Sequence, residues 1–237
     1  DDVALHAFLG MLLARSHDLA GAILHLKQAH YGRPADVTIA CNLIAALMEF
    51  GDTAEALDIA TSELAFSDAT LRVARYRGLL AQSLERFSDA VEAYEYVIER
   101  APQDFDSWNN LGNARSAAGD LAGSVLALQR AVELDPKAAP SRINLASALY
   151  AASRFQEAEE VLRTAAADFP KDARPLNDLY VMYKREARHD AAMIAIEDAI
   201  ARDPDDPNLQ FKFAVECGLV MRIAEAEKAF YKAISFD

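Results

Sequence analysis

The chain has 237 residues, of which 52% are hydrophobic and only 8% aromatic, and its formal net charge at pH 7 is -13. This length allows a large hydrophobic core, in one or two domains or in one elongated array. The negative charge argues against a protein that wraps nucleic acid, because phosphate binding needs clustered lysine and arginine.

The N-terminal residues 3–14, VALHAFLGMLLA, are apolar enough to suggest a signal peptide. They follow Asp1 and Asp2 rather than a basic segment, and no small-residue cleavage site comes after them. No stretch reaches the roughly 18 apolar residues of a membrane span, so no direct membrane insertion is expected. Two cysteines without a CxxC pair predict a cytoplasmic protein, with the periplasm left open. The chain starts without methionine, which leaves open that it is a fragment of a longer protein.

A period of 34 residues runs through the chain without insertion or deletion, and we number its positions so that Trp108 is position 4. The repeats are 3–36, 37–70, 71–104, 105–138, 139–172, 173–206 and a truncated 207–237. Position 20 is alanine in six of the seven repeats, and position 32 is proline in five. Because proline costs about 3 kcal/mol inside a helix, these prolines mark the boundaries between repeats. We therefore expect one array over residues 1–237.

The residue pattern within each repeat predicts two helices, which we call A and B. In the first repeat Gly10 occupies position 8, where a small side chain would let the two helix axes approach at the crossing with position 20. The second repeat is the weakest, because it has Asp68 in place of the proline and Glu63 at position 27. Its Gly51, at position 15, can end helix A. Its position 8 is Ile44, which predicts a wider crossing.

The later repeats follow the same plan. In the fourth, apolar or small residues recur at helical spacing before and after a turn that contains Gly119 at position 15. In the sixth, Tyr180 at position 8 again predicts a wider crossing. The seventh repeat stops at position 31, and no polar capping helix follows it.

These motifs resemble the tetratricopeptide repeat, whose pattern is W-x2-L-G-x2-Y, then A-x3-F, then P over 34 residues. Trp108-Asn-Asn-Leu111-Gly112 fits the first part; Ala90-Val-Glu-Ala-Tyr94 and Ala226-Glu-Lys-Ala-Phe230 fit the second. The resemblance implies an all-α fold, a right-handed α-solenoid of antiparallel helix pairs in which the A helices line the concave side.

No catalytic or metal-binding motif is found. HExxH, GxSxG, Walker and GxGxxG patterns are absent, and His25 and His30 are too poorly spaced to share a helix face. Cys41 and Cys217 lie nearly five repeats apart, and Cys217 falls in a core column. We expect no enzyme activity in this segment, no cofactor and no metal.

The concave surface is predicted to be basic. Positions 2, 5, 6, 9, 12 and 13 of helix A should project into the groove. They carry seven cations (Arg15, Arg72, Arg75, Arg174, Lys184, Arg185 and Lys212) against three anions (Glu49, Asp106 and Asp178). Such segregation of charge favours an acidic partner. The alternative is that these side chains only solvate an exposed face.

Asparagines occupy the same columns. Asn109, Asn110 and Asn113 fall at positions 5, 6 and 9, and Asn42 and Asn144 at position 6. They resemble the asparagine rows with which members of the family hold an extended peptide, because an amide can donate to and accept from any peptide unit. The predicted groove comprises Asn42, Arg72, Arg75, Asn109, Asn110, Asn113, Asn144, Arg174, Lys184 and Arg185.

Arg174 resembles part of a clamp for a C-terminal carboxylate, but Asn109 and Asp178 stand where that clamp has basic residues. The alternative is that asparagine is common at position 6 in the family and does not bind a ligand there.

Two further hypotheses stay open. Phe211, Phe213, Phe230 and Phe236 suggest an apolar end, so either downstream sequence is missing or the chain self-associates through its C-terminal repeat. The chain also resembles the non-catalytic repeat region of larger bacterial enzymes of sulfotransferase or glycosyltransferase type. A structural subunit of a membrane-associated assembly would differ only by an upstream signal or anchor.

Overall fold

The computed structural model describes residues 2–235, which form fifteen α-helices and no strand. The helices are α1 (Asp2–Arg15), α2 (Leu19–Gly32), α3 (Val37–Phe50), α4 (Thr53–Ile59), α5 (Ser62–Ser67), α6 (Arg72–Ser83), α7 (Phe87–Arg100), α8 (Phe105–Ala117), α9 (Leu121–Leu134), α10 (Ala139–Ala151), α11 (Phe155–Asp168), α12 (Arg174–Arg185), α13 (His189–Arg202), α14 (Pro207–Leu219) and α15 (Ile223–Ile234). The predicted all-α class is confirmed.

The chain divides into two compact units, the first ending at Leu134 and the second beginning at Asp135. In the first unit, α1, α3, α6 and α8 contact one another in order, and each also packs on the helix that follows it. In the second unit, α10 contacts α12, and the pairs α10–α11, α12–α13 and α14–α15 pack together. The first helix of each predicted repeat (α1, α3, α6, α8, α10, α12 and α14) is called an A helix below, and its successor a B helix. A single array over the whole chain stays a prediction.

The turn between each A helix and its B helix has the same backbone signature. A residue with positive φ stands at 17, 51, 85, 119, 153, 187 and 221, and successive members are 34 residues apart. The predicted helix-ending glycines are confirmed, since Gly51 has φ 95° and Gly119 has φ 88°. The other five positions hold side chains in a conformation that costs L-residues about 1–2 kcal/mol.

Glycines in the A helices allow close packing on the B helices. A Cβ added to Gly78 would lie 2.6 Å from the ring of Tyr94, and one added to Gly112 would lie 2.4 Å from Cγ of Leu128. The side chain that faces the glycine is therefore the one at position 24, while the small residues at position 20 are buried beside it. In the second repeat the large and small side chains are exchanged, since position 8 is Ile44 and position 24 is Ala60. Both side chains are fully buried.

The weakest predicted repeat is also the irregular one. Its B helix is broken into α4 and α5 at Ala60, and Thr61 caps α5 by accepting a hydrogen bond from the backbone N–H of Leu64 at 3.2 Å. The break frees the carbonyl of Ala60, which accepts a hydrogen bond from Nη1 of buried Arg77 at 3.0 Å. A side chain of the next A helix thus satisfies a backbone group that the broken helix leaves unpaired.

Asp68 takes the place of the missing proline and is almost fully buried, with 2% of its surface exposed. Its carboxylate accepts hydrogen bonds from the Thr70 hydroxyl at 2.7 Å and from the backbone N–H of Val73 at 3.0 Å. Burial acts to raise the pKa of this carboxyl, but the hydrogen bonds outweigh burial and hold the pKa below its ordinary value. Asp68 therefore ends one repeat and caps the next as an ionised side chain.

Both cysteines are buried and unpaired, and Cys217 is fully buried on α14, as predicted for a core column. No helix within residues 2–235 combines the length and the apolar character that crossing a membrane requires.

Candidate functional site

A groove in the second unit lies between the A helices α10 and α12 and encloses a cavity of about 520 Å³. Most of its lining is apolar, with Tyr150 and Phe155 on one side and Val181 on the other. Two ionisable side chains of α12, Asp178 and Arg185, also line it. Cavities of this size with few polar groups are typical of binding sites.

Arg185 stands exposed at this groove, with the carbon of its guanidinium 5.8 Å from the centroid of the Tyr150 ring. None of the described carboxylates forms an ion pair with it. Its positive charge is therefore available to a bound anion.

Asp178 is the acidic group of the groove. Its Oδ1 accepts a hydrogen bond from Nδ2 of Asn177 at 3.2 Å, and Asn177 in turn accepts one from Nζ of Lys212 at 2.6 Å. Burial raises the pKa of the Asp178 carboxyl, and the Asn177 hydrogen bond and the charges of Lys212 and Arg174 only partly oppose this. Lys212 thus influences Asp178 through space and through Asn177, without an ion pair.

A polar cluster of Tyr180, Lys184 and Glu216 joins α12 to the neighbouring helix α14. Glu216, 3% exposed, accepts a hydrogen bond from the Tyr180 hydroxyl at 2.9 Å and forms an ion pair with Nζ of Lys184 at 2.7 Å. Burial and the hydrogen bond to Glu216 raise the pKa of the Tyr180 hydroxyl. Lys184, a predicted groove cation, is therefore neutralised within the chain.

Two more of the predicted groove cations have carboxylate partners of their own. Arg75 donates from Nε to Oδ2 of Asp104 at 2.7 Å, which joins α6 to the residue that caps α8. Arg174 grips the Asp172 carboxylate with Nε and Nη2, the shorter contact being 2.7 Å. The simple charge count therefore overstates the free positive charge. Among the arginines of that count, Arg15, Arg72 and Arg185 make no ion pair with a described carboxylate.

The asparagines divide between the two units. Asn42 lies on α3, and Asn109, Asn110 and Asn113 lie on α8, all partly exposed. Asn144 lies on α10 of the second unit and is also partly exposed.

One asparagine has a neighbour in the core. Burial raises the pKa of the Tyr94 hydroxyl, an effect that the neighbouring Asn110 amide opposes. Asn110 thus lies beside a core tyrosine of α7.

Sequence reasoning missed the apolar lining of the groove. Tyr150 stands at position 12, one of the columns assigned to the groove, but the charge and amide patterns on which that assignment rests do not identify an aromatic residue. Phe155 lies at the start of the B helix α11, where nothing in the repeat pattern distinguishes a groove residue from a helix–helix contact. Among residues 2–235, no group of three or more histidine, cysteine, aspartate or glutamate side chains could hold a metal ion.

Two family models, both described as tetratricopeptide repeat, match residues 77–139 and 115–180. Together the two models cover residues 77–180, and with the helix pairs and the 34-residue turn spacing they confirm the resemblance to the tetratricopeptide repeat that the sequence predicts.

Solved structures with the same fold include a tetratricopeptide repeat protein from Parabacteroides merdae ATCC 43184, 19% identical, with a TM-score of 0.74 over 99% of this chain and 93% of that one. A fragment of MamA from Desulfovibrio magneticus RS-1 is 20% identical, with a TM-score of 0.63 over 70% and 94%. YrrB, described as a tetratricopeptide repeat protein with an unusual peptide-binding site, is 19% identical, with a TM-score of 0.60 over 76% and 93%. At these identities the likeness shows the fold alone.

Proposed function

We propose that the chain is a protein-interaction scaffold whose A helices bind an extended, acidic peptide segment, without catalysis of its own. The observation that carries this proposal is Arg185, an exposed guanidinium beside a largely apolar groove, with which no carboxylate of residues 2–235 forms an ion pair. An unpaired cation next to an apolar cavity suits a ligand with an apolar side chain and an acidic group.

The asparagines support the same function in both units. Asn110 and Asn113 on α8, and Asn144 on α10, present amide groups that can pair with the backbone of a peptide of any sequence. Each such hydrogen bond contributes about 0.5–1.5 kcal/mol net. The described function of YrrB, a peptide-binding protein with this fold, is consistent with the proposal.

The test is an array of acidic 15-residue peptides, probed with the wild-type chain and two variants. Arg72→Gln with Arg185→Gln should weaken capture about tenfold, and the loss should shrink in raised salt, because screened charges interact less. Asn110→Ala with Asn144→Ala should weaken capture of all bound peptides alike. Arg130→Gln, a change on the B helix α9, is the matched control and should bind as wild type does. Unaltered capture by both double variants would contradict the groove assignment.

Self-association through the last helix pair is a second proposal. Phe211, Leu219, Tyr231 and Ile234 of α14 and α15 are between 55% and 68% exposed, and Phe211 meets Phe230 at 5.8 Å between ring centroids. Phe236 lies outside the described residues. A second copy that covers this surface would remove an apolar patch from water. Light scattering should then show a dimer that Phe211→Ser with Tyr231→Ser converts to a monomer; a wild-type monomer at high concentration would contradict it.

The fused-enzyme hypothesis stays a prediction and has its own test. A reading frame that continues past Asp237 for about 200 residues, with strands and a phosphate-binding loop, would favour the non-catalytic region of a larger sulfotransferase or glycosyltransferase. A stop codon soon after a capping helix would favour a separate adaptor.

A further inference from the structure

The groove between α10 and α12 contains a charge that an acidic ligand alone does not explain. Asp178 lines the same cavity as Tyr150, Phe155 and Val181, and burial raises the pKa of its carboxyl. A carboxylate in such surroundings loses hydration that a hydrogen bond or a cation has to replace. An acidic side chain in a largely apolar binding groove therefore calls for a partner that compensates its lost hydration.

The partners that the chain supplies to Asp178 are incomplete. Asn177 donates one hydrogen bond to Oδ1 at 3.2 Å, and no lysine or arginine within residues 2–235 forms an ion pair with the carboxylate. The cations beside it contact other residues, since Lys212 donates a hydrogen bond to Asn177 and Arg174 donates hydrogen bonds to the Asp172 carboxylate. Oδ2 of Asp178 is therefore left for a group that enters the cavity.

The rest of the cavity suits the stem of a long side chain. Leu162, Val181 and Met182 provide aliphatic contacts, and Tyr150 and Phe155, whose ring centroids lie 5.0 Å apart, provide aromatic ones. Lysine and arginine bury an aliphatic stem against apolar surface and extend a charged head to a polar group. An apolar side chain would fill the same space but would give Oδ2 of the half-buried Asp178 carboxylate no partner.

We propose that this cavity takes a lysine or arginine side chain of the bound peptide, whose cation pairs with Asp178 while an acidic neighbour of that residue pairs with Arg185. The inference rests on the proposed function, because it assumes a peptide in the groove. Asp178 and Arg185 are seven residues apart on α12 and so lie on one face about 10 Å from each other. The ligand is then an acidic segment with one basic residue, rather than a uniformly acidic one.

The experiment compares acidic 15-residue peptides that differ only at the central residue, which is arginine, its neutral analogue citrulline, or leucine. The wild-type chain should bind the arginine peptides about tenfold more tightly than the citrulline peptides, as expected for one charge-assisted hydrogen bond. In Asp178→Asn the two series should bind equally. Glu227→Gln, an exposed carboxylate of α15, removes the same charge elsewhere and should keep the preference. Circular dichroism should show that Asp178→Asn is folded.

Each other outcome is decisive. Equal binding of arginine and citrulline by the wild-type chain, tightest binding of leucine, or a preference that survives Asp178→Asn overturns this inference and leaves the proposed function standing. Capture of no peptide by the wild-type chain overturns both.

Discussion

Arg77 of α6 donates a hydrogen bond from Nη1 to the main-chain carbonyl of Ala60 at 3.0 Å. Arg77 is 9% exposed, and its guanidinium also lies 4.0 Å from the Asp89 carboxylate. One buried side chain therefore connects the break between α4 and α5 to the next helix pair. A break in a helix is stable only where its freed backbone groups find partners, which makes this contact a condition for the irregular second repeat.

Arg77→Met should lower the free energy of unfolding by about 2 kcal/mol, because it leaves the Ala60 carbonyl buried without a donor. Urea denaturation followed by circular dichroism measures the change. Arg86→Met is the matched control, since Arg86 pairs with the same Asp89 but is largely exposed, and should cost less than about 1 kcal/mol. Equal losses in the two variants would show that the Ala60 contact adds nothing.

The turn residues with positive φ offer stabilising substitutions. Ala187 has φ 56° between α12 and α13, so Ala187→Gly relieves backbone strain and should raise the free energy of unfolding by about 0.5–1 kcal/mol. Ala45→Gly, at an exposed position within α3, should instead lower it by about 1 kcal/mol. Gly119→Ala, which places a side chain at φ 88°, should also be destabilising. A loss of stability in Ala187→Gly would refute the strain argument.

The tight helix crossing in the fourth repeat predicts that the effect of Gly112→Ala on the free energy of unfolding changes sign when Leu128 is replaced. Gly112→Ala puts a Cβ 2.4 Å from Cγ of Leu128, so overpacking of about 1–3 kcal/mol should exceed the gain in helix propensity. In a Leu128→Ala background the obstruction is gone, and the same change should become stabilising by up to about 1 kcal/mol. A double-mutant cycle in urea measures the coupling. Additive effects of the two substitutions would contradict this packing.

Much of the fold can be predicted from the sequence because the repeat acts through local chemistry. Proline at position 32 and glycine at Gly51 and Gly119 mark turns that the structure contains. The weakness of the second repeat is visible in Asp68, but the break at Ala60 is not. That break depends on Arg77, a residue of the next repeat that packs against it.

The groove was less predictable than the fold. Side-chain position along a helix indicates which face a cation occupies, but not whether a carboxylate on another helix reaches it. Lys184 and Glu216 are 32 residues apart and meet only because α12 packs beside α14. Arg185, the next residue along, points to a different neighbour and stays without an ion pair among the described residues. The difference between adjacent cations is a property of packing between helices.

Asp178 and Asp172 should titrate with opposite consequences for stability. Burial raises the pKa of Asp178 in the folded chain, so ionisation opposes folding. This destabilisation is absent at low pH, develops as pH rises above the ordinary pKa of the unfolded chain's carboxyl, and is complete above the raised pKa. The stability of Asp178→Asn relative to wild type should therefore increase between pH 3 and pH 7. The Arg174 hydrogen bond holds the pKa of Asp172 below its ordinary value, so Asp172→Asn should lose stability at pH 7 and recover it as pH falls. Urea denaturation across this range measures both differences. Parallel pH profiles for the two variants would mean that the half-buried Asp178 carboxylate is not desolvated, and Asp178 would then need no cation from a ligand.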